Sequence, residues 1–244
     1  LRSLLSGFTV AFAILLFTLL FGIANGLENT FNSFFKDDAQ NSVFIQSGRT
    51  TKPYRGFKAG RDIQFKNEDF DEIKNGFGDK VQYITSRVYK NLTASYKNEK
   101  NTYQVTAVHP DHQYLEKTEI NEGRYISAKD LQENSKVVVI GRLVEEDLFS
   151  KTRAIGKYVN LGGIQYKVVG VYSDDGGDNA ERIIYMPIST AQKIYGNNDY
   201  VDQINLTYNP EMNFDEAISF SNLITKNLKD KFDVSPKDQR AIRV

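Results

Sequence analysis

The sequence predicts an α+β fold hung from an N-terminal membrane helix, and three observations carry that reading. A charge-free apolar run opens the chain. The order strand–helix–strand occurs near each end of the remaining, more polar sequence. The residues between those two units are rich in short strands and hairpin signals.

The apolar run comes first. Arg2 is the only charged residue before Glu28, and Leu4 to Leu27 are Leu, Ile, Val, Phe or Ala except at Ser6, Gly7, Thr9, Thr18, Gly22, Asn25 and Gly26. A helix over this stretch reaches roughly 36 Å, more than the ~30 Å hydrocarbon core requires. Lipid offers backbone amides no partner, so the run should be helical. A cleaved leader ending at Ala24-Asn25-Gly26 is the competing reading. The run is about twice the length of a usual leader core. Leu27, Phe31, Phe34 and Phe35 also continue one helical face beyond it. Both features favour a retained anchor that leaves the bilayer as a stalk. With Arg2 the one cation before the span, the positive-inside rule puts the start of the chain in the cytoplasm. The first residue is Leu rather than Met, which reads as a piece of a longer protein.

After the stalk, Ser42–Ser47 reads as a strand, and a polar loop with glycines comes next at Gly48–Arg61. Asn67 is placed to cap a helix over Glu68–Asn75, with Phe70, Ile73 and Phe77 on one face and Gly76 or Gly78 as its stop. Val81–Tyr89 is a strand in which Val81, Tyr83, Thr85 and Arg87 alternate with Gln82, Ile84, Ser86 and Val88. Near the other end, Gln203–Tyr208 reads as a strand and Asn213–Lys229 as a helix with a broad apolar face. Phe232–Val234 is expected as the closing strand. Two strand–helix–strand units so far apart imply one subdomain assembled from separated halves.

Between them, Leu92–Tyr96 and Thr102–Val108 suggest a hairpin around Lys97–Asn101. Lys136–Ile140 is a short apolar strand. Lys157–Leu161 and Ile164–Tyr172 flank Gly162-Gly163, a two-residue hairpin signal. Ile183–Met186 is a strand stopped by Pro187. Short helices are expected at Ser127–Glu133, with Ser127 as cap, at Leu143–Phe149 and at Ile188–Tyr195. This middle segment is a mainly β insertion.

Composition excludes much chemistry. The 244 residues carry 31 basic and 31 acidic side chains, two His and no Cys. No thiolate metal site, disulfide framework or cysteine nucleophile is available. Zero net charge argues against a nucleic-acid partner. His109-Pro110-Asp111-His112 brings two His together, but Pro110 disturbs the backbone and no third ligand is in view, so a capped turn is the preferred reading. Asp174-Asp175-Gly176-Gly177-Asp178-Asn179 lacks the spacing and terminal Glu of a calcium loop and reads as a turn. Neither a phosphate loop nor a Gly-x-Ser-x-Gly elbow is present. No cofactor or catalytic set is expected.

Read in order, the chain shows Val108-His109-Pro110, Glu122-Gly123-Arg124-Tyr125-Ile126, Val137-Val138-Val139-Ile140-Gly141, Leu148-Phe149, Ile155-Gly156-Lys157, Tyr166-Lys167-Val168-Val169-Gly170-Val171 and Ile184-Tyr185-Met186-Pro187. This succession resembles the MacB-type periplasmic core domain of ABC transporter permeases in the FtsX-like superfamily. The positions Gly123, Arg124, Gly141, Gly156, Gly170 and Pro187 read as structural: Gly123 and Gly141 where the chain turns sharply, Gly170 where the side-chain row of a strand is interrupted, Pro187 where a strand gives way to a helix.

The resemblance implies a transmembrane helix and stalk over 1–35, a porter-like subdomain split between 36–100 and 198–244, and the inserted mainly β subdomain over 101–197. It implies a permease subunit of the inner membrane, with residues after about 28 in the periplasm. Such a subunit transmits ATP hydrolysis by a cytoplasmic ABC ATPase to the outer domain for export or efflux. Its implied partners are that ATPase, a second permease subunit in a dimer and the lipid bilayer, with a periplasmic adaptor and outer-membrane channel as further candidates. The alternative class is the extracytoplasmic ligand-binding sensor domain of a single-pass receptor.

Overall fold

A computed structural model describes residues 7–8, 11–23, 26, 41–150, 152–196 and 199–244. The chain divides into two units, residues 1–40 and 41–244. In the first, residues 7–8, 11–23 and 26 are helical. No helix among the described residues is long and apolar enough to cross a membrane. The expected stalk over Leu27–Phe35, and part of the expected span Leu4–Leu27, lie outside the described residues.

The second unit begins with β1 (Ser42–Ser47), the two-residue strand β2 (Phe65–Lys66) and helix α1 (Asn67–Gly76). The cap of α1 is Lys66 rather than Asn67: its N–H donates to the Asp69 carboxylate at 2.7 Å, so an acid inside the first turn does what a capping Asn was expected to do. Strand β3 (Val81–Tyr96) is one 16-residue strand where the sequence suggested two. It turns at Lys97-Asn98 into β4 (Glu99–Val108), with Lys97 at φ 53°, so the hairpin is tighter than the expected Lys97–Asn101 loop.

The chain continues with α2 (His112–Leu115), β5 (Glu119–Gly123), α3 (Ala128–Gln132), β6 (Val137–Gly141) and α4 (Arg142–Phe149). Next come β7 (Tyr158–Leu161), β8 (Ile164–Ser173), a 3-10 turn at Ala180–Arg182, β9 (Ile183–Pro187) and α5 (Ile188–Tyr195). The last elements are β10 (Tyr200–Val201), β11 (Gln203–Tyr208), α6 (Phe214–Lys231) and β12 (Ile242–Arg243). The Ser127 cap of α3 and the Gly162-Gly163 hairpin fall where the sequence puts them, and α6 begins one residue after the expected start, with Asn213 as its cap. Phe232–Val234 is not a strand. There the chain leaves α6 through Asp233 at φ 49°, and Val234 N–H caps the helix on Lys229 O; edge pairing with β1 is made later, by β12.

Pairing shows how the pieces interlock. β12, β1, β11 and the first part of β3 are antiparallel neighbours, with β11 seated between β1 and β3. Helices α1 and α6 bury Phe70, Ile73, Phe220, Ile224 and Leu228 in one core with Ile45, Ile84, Ile204 and Leu206. Phe77 and Phe220 meet edge to face at 5.5 Å. Lys231 of α6 ties the helices by reaching Asp69 at 2.7 Å and Glu72 at 2.9 Å on α1.

Strands β2 and β10 pair in a separate two-stranded sheet and β5 pairs β8 at an edge, while six other strands, β3 included, run full circle. β3 pairs β4, β4 pairs β9, β9 pairs β6, β6 pairs β8, β8 pairs β7, and β7 returns to β3. In such a ring each of those six strands has a paired neighbour on both sides, though at some seams over only two residue pairs. It buries Val105, Ala107, Val138, Ile140, Val159, Leu161, Tyr166, Val168, Ile184 and Met186.

Candidate functional site at a strand junction

Strand β3 belongs to both regions. Val81–Arg87 pairs with β11, and from Val88 onward the partner is β4. The handover is fixed by Asp202, whose N–H donates to Arg87 O at 2.8 Å while its carboxylate accepts from Tyr89 N–H at 2.8 Å.

The face of β3 and β11 opposite α1 and α6 is buried yet polar: Thr85, Gln203, Asn205 and Thr207 lie on it. The segment from His112 to Glu116 covers it, with Tyr114 stacked on Tyr83 at 5.0 Å. Arg87 stands in its middle and pairs with the Glu116 carboxylate. With the Asn205 amide oriented to satisfy both of its ends, its oxygen accepts from Arg87 Nε and Nη2 at 3.1 Å. Burial is the largest single influence and disfavours the Arg87 charge, but the Glu116 carboxylate together with the Tyr89 and Tyr185 hydroxyls outweighs it and holds the guanidinium pKa above the ordinary value.

The two His flank this pair in different roles. His109 stacks on Phe70 at 4.1 Å, and its N–H donates to Thr85 Oγ1 at 3.0 Å. Its Nδ1 accepts from Ser86 N–H at 3.1 Å, which requires an unprotonated nitrogen. Burial, helped by the Lys74 charge, lowers its pKa to about 4. His112 is fully buried, with Nδ1 2.8 Å from Tyr125 Oη and its ring 4.6 Å from that of Tyr185. Burial first and Arg87 second push its pKa well below the usual value. Each imidazole therefore has its own partner. Among the described residues no group of three or more His, Asp or Glu is arranged to hold a metal ion.

The expected signature positions lie elsewhere, on β5, β6, β8 and β9 and in the turns beside them. Gly123 has φ +76°, and a Cβ there would lie 2.1 Å from Val169 O. Arg124 grips Asp130 through two bonds of 2.6 and 3.0 Å. Burial alone would raise the Asp130 pKa, but the hydrogen bonds from Arg124 and Ser127 hold it below the ordinary carboxylate range. Gly141 and Gly170 are close approaches: a Cβ would meet Glu181 O at 2.0 Å and Arg124 O at 2.3 Å, respectively. Gly156 has φ +81° over open space. Pro187 ends β9 and caps α5 at φ −62°. The Arg87–Glu116–Asn205 cluster was not expected. Its one signal was the polar row Tyr83, Thr85, Arg87 in a strand whose other row includes Ile84 and Val88.

These features define a mixed α/β domain, rich in sheet, whose two strand systems share one strand. The chain belongs to the family of MacB-like periplasmic core domains, whose profile matches residues 3–219. A macrolide export ATP-binding/permease protein MacB from Bdellovibrio bacteriovorus is 24% identical over 153 residues, covering 61% of this chain. The chain spans 23% of that relative's length. In fold it is similar to the periplasmic region of MacB from Actinobacillus actinomycetemcomitans, with a TM-score of 0.68, 19% identity and coverage of 86% of this chain and 91% of that one. It is equally similar to the extracellular domain of the noncanonic ABC-type transporter YknZ from Gram-positive bacteria, with a TM-score of 0.68, 19% identity and coverage of 84% and 99%.

Proposed function

We propose that this chain is the anchor helix and periplasmic domain of an inner-membrane ABC permease subunit, and that it turns ATP hydrolysis in the cytoplasm into movement outside the membrane for export or efflux. On this reading Leu4–Leu27 spans the bilayer and residues after about 28 are periplasmic. Residues 36–100 and 198–244 form a porter-like subdomain, and 101–197 form the inserted one. The hydrolytic step belongs to a cytoplasmic ABC ATPase, and the domain itself catalyses nothing. A second permease subunit completes a dimer, and a periplasmic adaptor and outer-membrane channel receive the cargo.

The observation that carries the proposal is the handover in β3 at Arg87 and Val88. An unbroken strand resists stretching far better than a loop, so it can pass a push from the part near the termini to the ring of strands. The name of the MacB relative, an exporter of macrolides with ATP-binding and permease parts, supports export as the task. The test is a Gly-Gly insertion between Arg87 and Val88 in the full permease, assayed with its ATPase. Transport should fall at least tenfold while ATP hydrolysis persists and the domain stays protease-resistant. Transport at the original rate in a folded insertion variant overturns the coupling role of the strand.

A further inference from the structure

The hairpin end of β3 carries a second feature, distant in sequence from the junction. Lys157 stands just before β7, where the ring of strands closes through Ala94 opposite Leu161 and Ser95 opposite Asn160. Its Nζ is buried and has no hydrogen-bond partner, although an ammonium group carries three donors. It rests instead over two aromatic rings, 5.6 Å from the centre of Tyr96 and 5.8 Å from that of Phe149, which are themselves 4.3 Å apart. Lys97, in the hairpin turn, holds a second ammonium 5.5 Å from the centre of the same Tyr96 ring. Among the described residues neither ammonium forms an ion pair.

One ring thus holds two ammonium groups within 6 Å of its centre. A ring face satisfies an ammonium less well than a charge-assisted hydrogen bond does. Lys157 Nζ therefore gains by swinging out, on its flexible four-carbon stem, toward any group that presents acceptor oxygens. Such a group has room. A cleft of about 670 Å³ lies alongside, lined by Ser95, Tyr96, Lys97, Lys157, Tyr158 and Gln165, with no acidic residue in its wall. Tyr158 is 58% exposed and offers a ring face to the body of a ligand.

We propose that this cleft binds an oxyanion, a phosphate or carboxylate carried on a small ring- or chain-bearing molecule. Lys97 makes the first contact from the surface, and Lys157 leaves the Tyr96–Phe149 rings to complete the ion pairs. The seat is in the ring of strands and does not depend on the coupling role of β3.

The test is an NMR titration of the whole chain in neutral detergent, monitored at lysine and tyrosine side chains. The probes are inorganic phosphate, phenyl phosphate, benzoate and short-chain phosphatidylglycerol. Saturable shifts are expected at Tyr96, Lys97 and Lys157, with binding at least tenfold weaker in Lys157→Met and retained in Lys157→Arg. Tighter binding of phenyl phosphate or benzoate assigns a soluble ligand, and tighter binding of the phospholipid assigns a headgroup. Lys97→Met, on an exposed turn, should weaken binding several-fold without changing thermal unfolding, and it decides the matter if Lys157→Met does not fold. No saturable shift with any probe, or undiminished binding in the folded lysine variants, overturns the proposal.

Discussion

Arg87 and Glu116 form an ion pair at the residue where β3 exchanges β11 for β4. Both side chains are largely buried, at 14% and 20% exposure. Glu116 closes the short helix α2, so the pair pins the His112–Glu116 segment onto the polar face of the sheet. Asn205 on β11 takes two further donors of the same guanidinium, so a single charge touches β3, β11 and the covering turn.

Glu116→Gln leaves the Arg87 charge buried without its counter-ion and should cost about 3–5 kcal/mol. Replacing both members, as Arg87→Met with Glu116→Leu, removes the desolvation penalty with the pair and should recover most of that loss. Urea denaturation of the single and double variants measures both values. A double variant as unstable as Glu116→Gln would show that Arg87 acts chiefly through Asn205.

The two histidines set an acid limit. The folded-state pKa of His109, about 4, lies below its ordinary 6.5, so the unfolded chain takes up the proton first as pH falls. Stability from the neutral ring is complete above pH 6.5 and is lost as pH drops from there toward 4, by about 3 kcal/mol over that window. His112 acts in the same direction. His109→Gln keeps an acceptor for Ser86 N–H and removes one titration, so its stability should slope less steeply between pH 6.5 and 4. Equal slopes in urea titrations at four pH values would exclude His109 as the source.

Much of this architecture was legible in the sequence, and the failures share a cause. Ser127, Asn213, Pro187 and the Gly162-Gly163 pair act within a few residues of themselves, so their effects are written locally. The position of β12 is not, because pairing with Gln46 and Ser47 is settled by a neighbour some two hundred residues away in sequence. The length of β3 was missed because its alternation changes at the handover, where Ile84, Thr85 and Ser86 are all buried. The Arg87 cluster unites residues from three distant segments, and only the odd polar row in β3 hinted at it. Lys157 gave no signal, since an ordinary surface lysine looks the same in sequence.

The glycines should separate by cause. Gly141→Ala drives a methyl into Glu181 O and Gly170→Ala drives one into Arg124 O; both neighbours are backbone, so each should cost about 3 kcal/mol or more. Gly156→Ala meets nothing and bears only the left-handed backbone, about 1 kcal/mol. Thermal unfolding of the three variants ranks them. A Gly156 variant as unstable as the Gly141 variant would show that φ, not crowding, governs these positions.

The ring of strands closes on little. β7 meets β3 through Ala94 opposite Leu161 and Ser95 opposite Asn160, with Gly162 N–H donating to Thr93 O at 3.0 Å just beyond. The β3–β4 seam, by contrast, is registered over nine residue pairs from Val88 opposite Ala107 to Tyr96 opposite Glu99. Leu161 and Ala94 are fully buried, so packing rather than pairing holds the short seam shut. Leu161→Ala should cost about 2–5 kcal/mol. It should also speed amide hydrogen exchange at Gly162 well before exchange changes along β4, because the shorter seam opens at lower free energy. Equal acceleration across both seams would mean that the ring opens only as a whole, and that the β3–β7 contact is no weaker than the hairpin beside it.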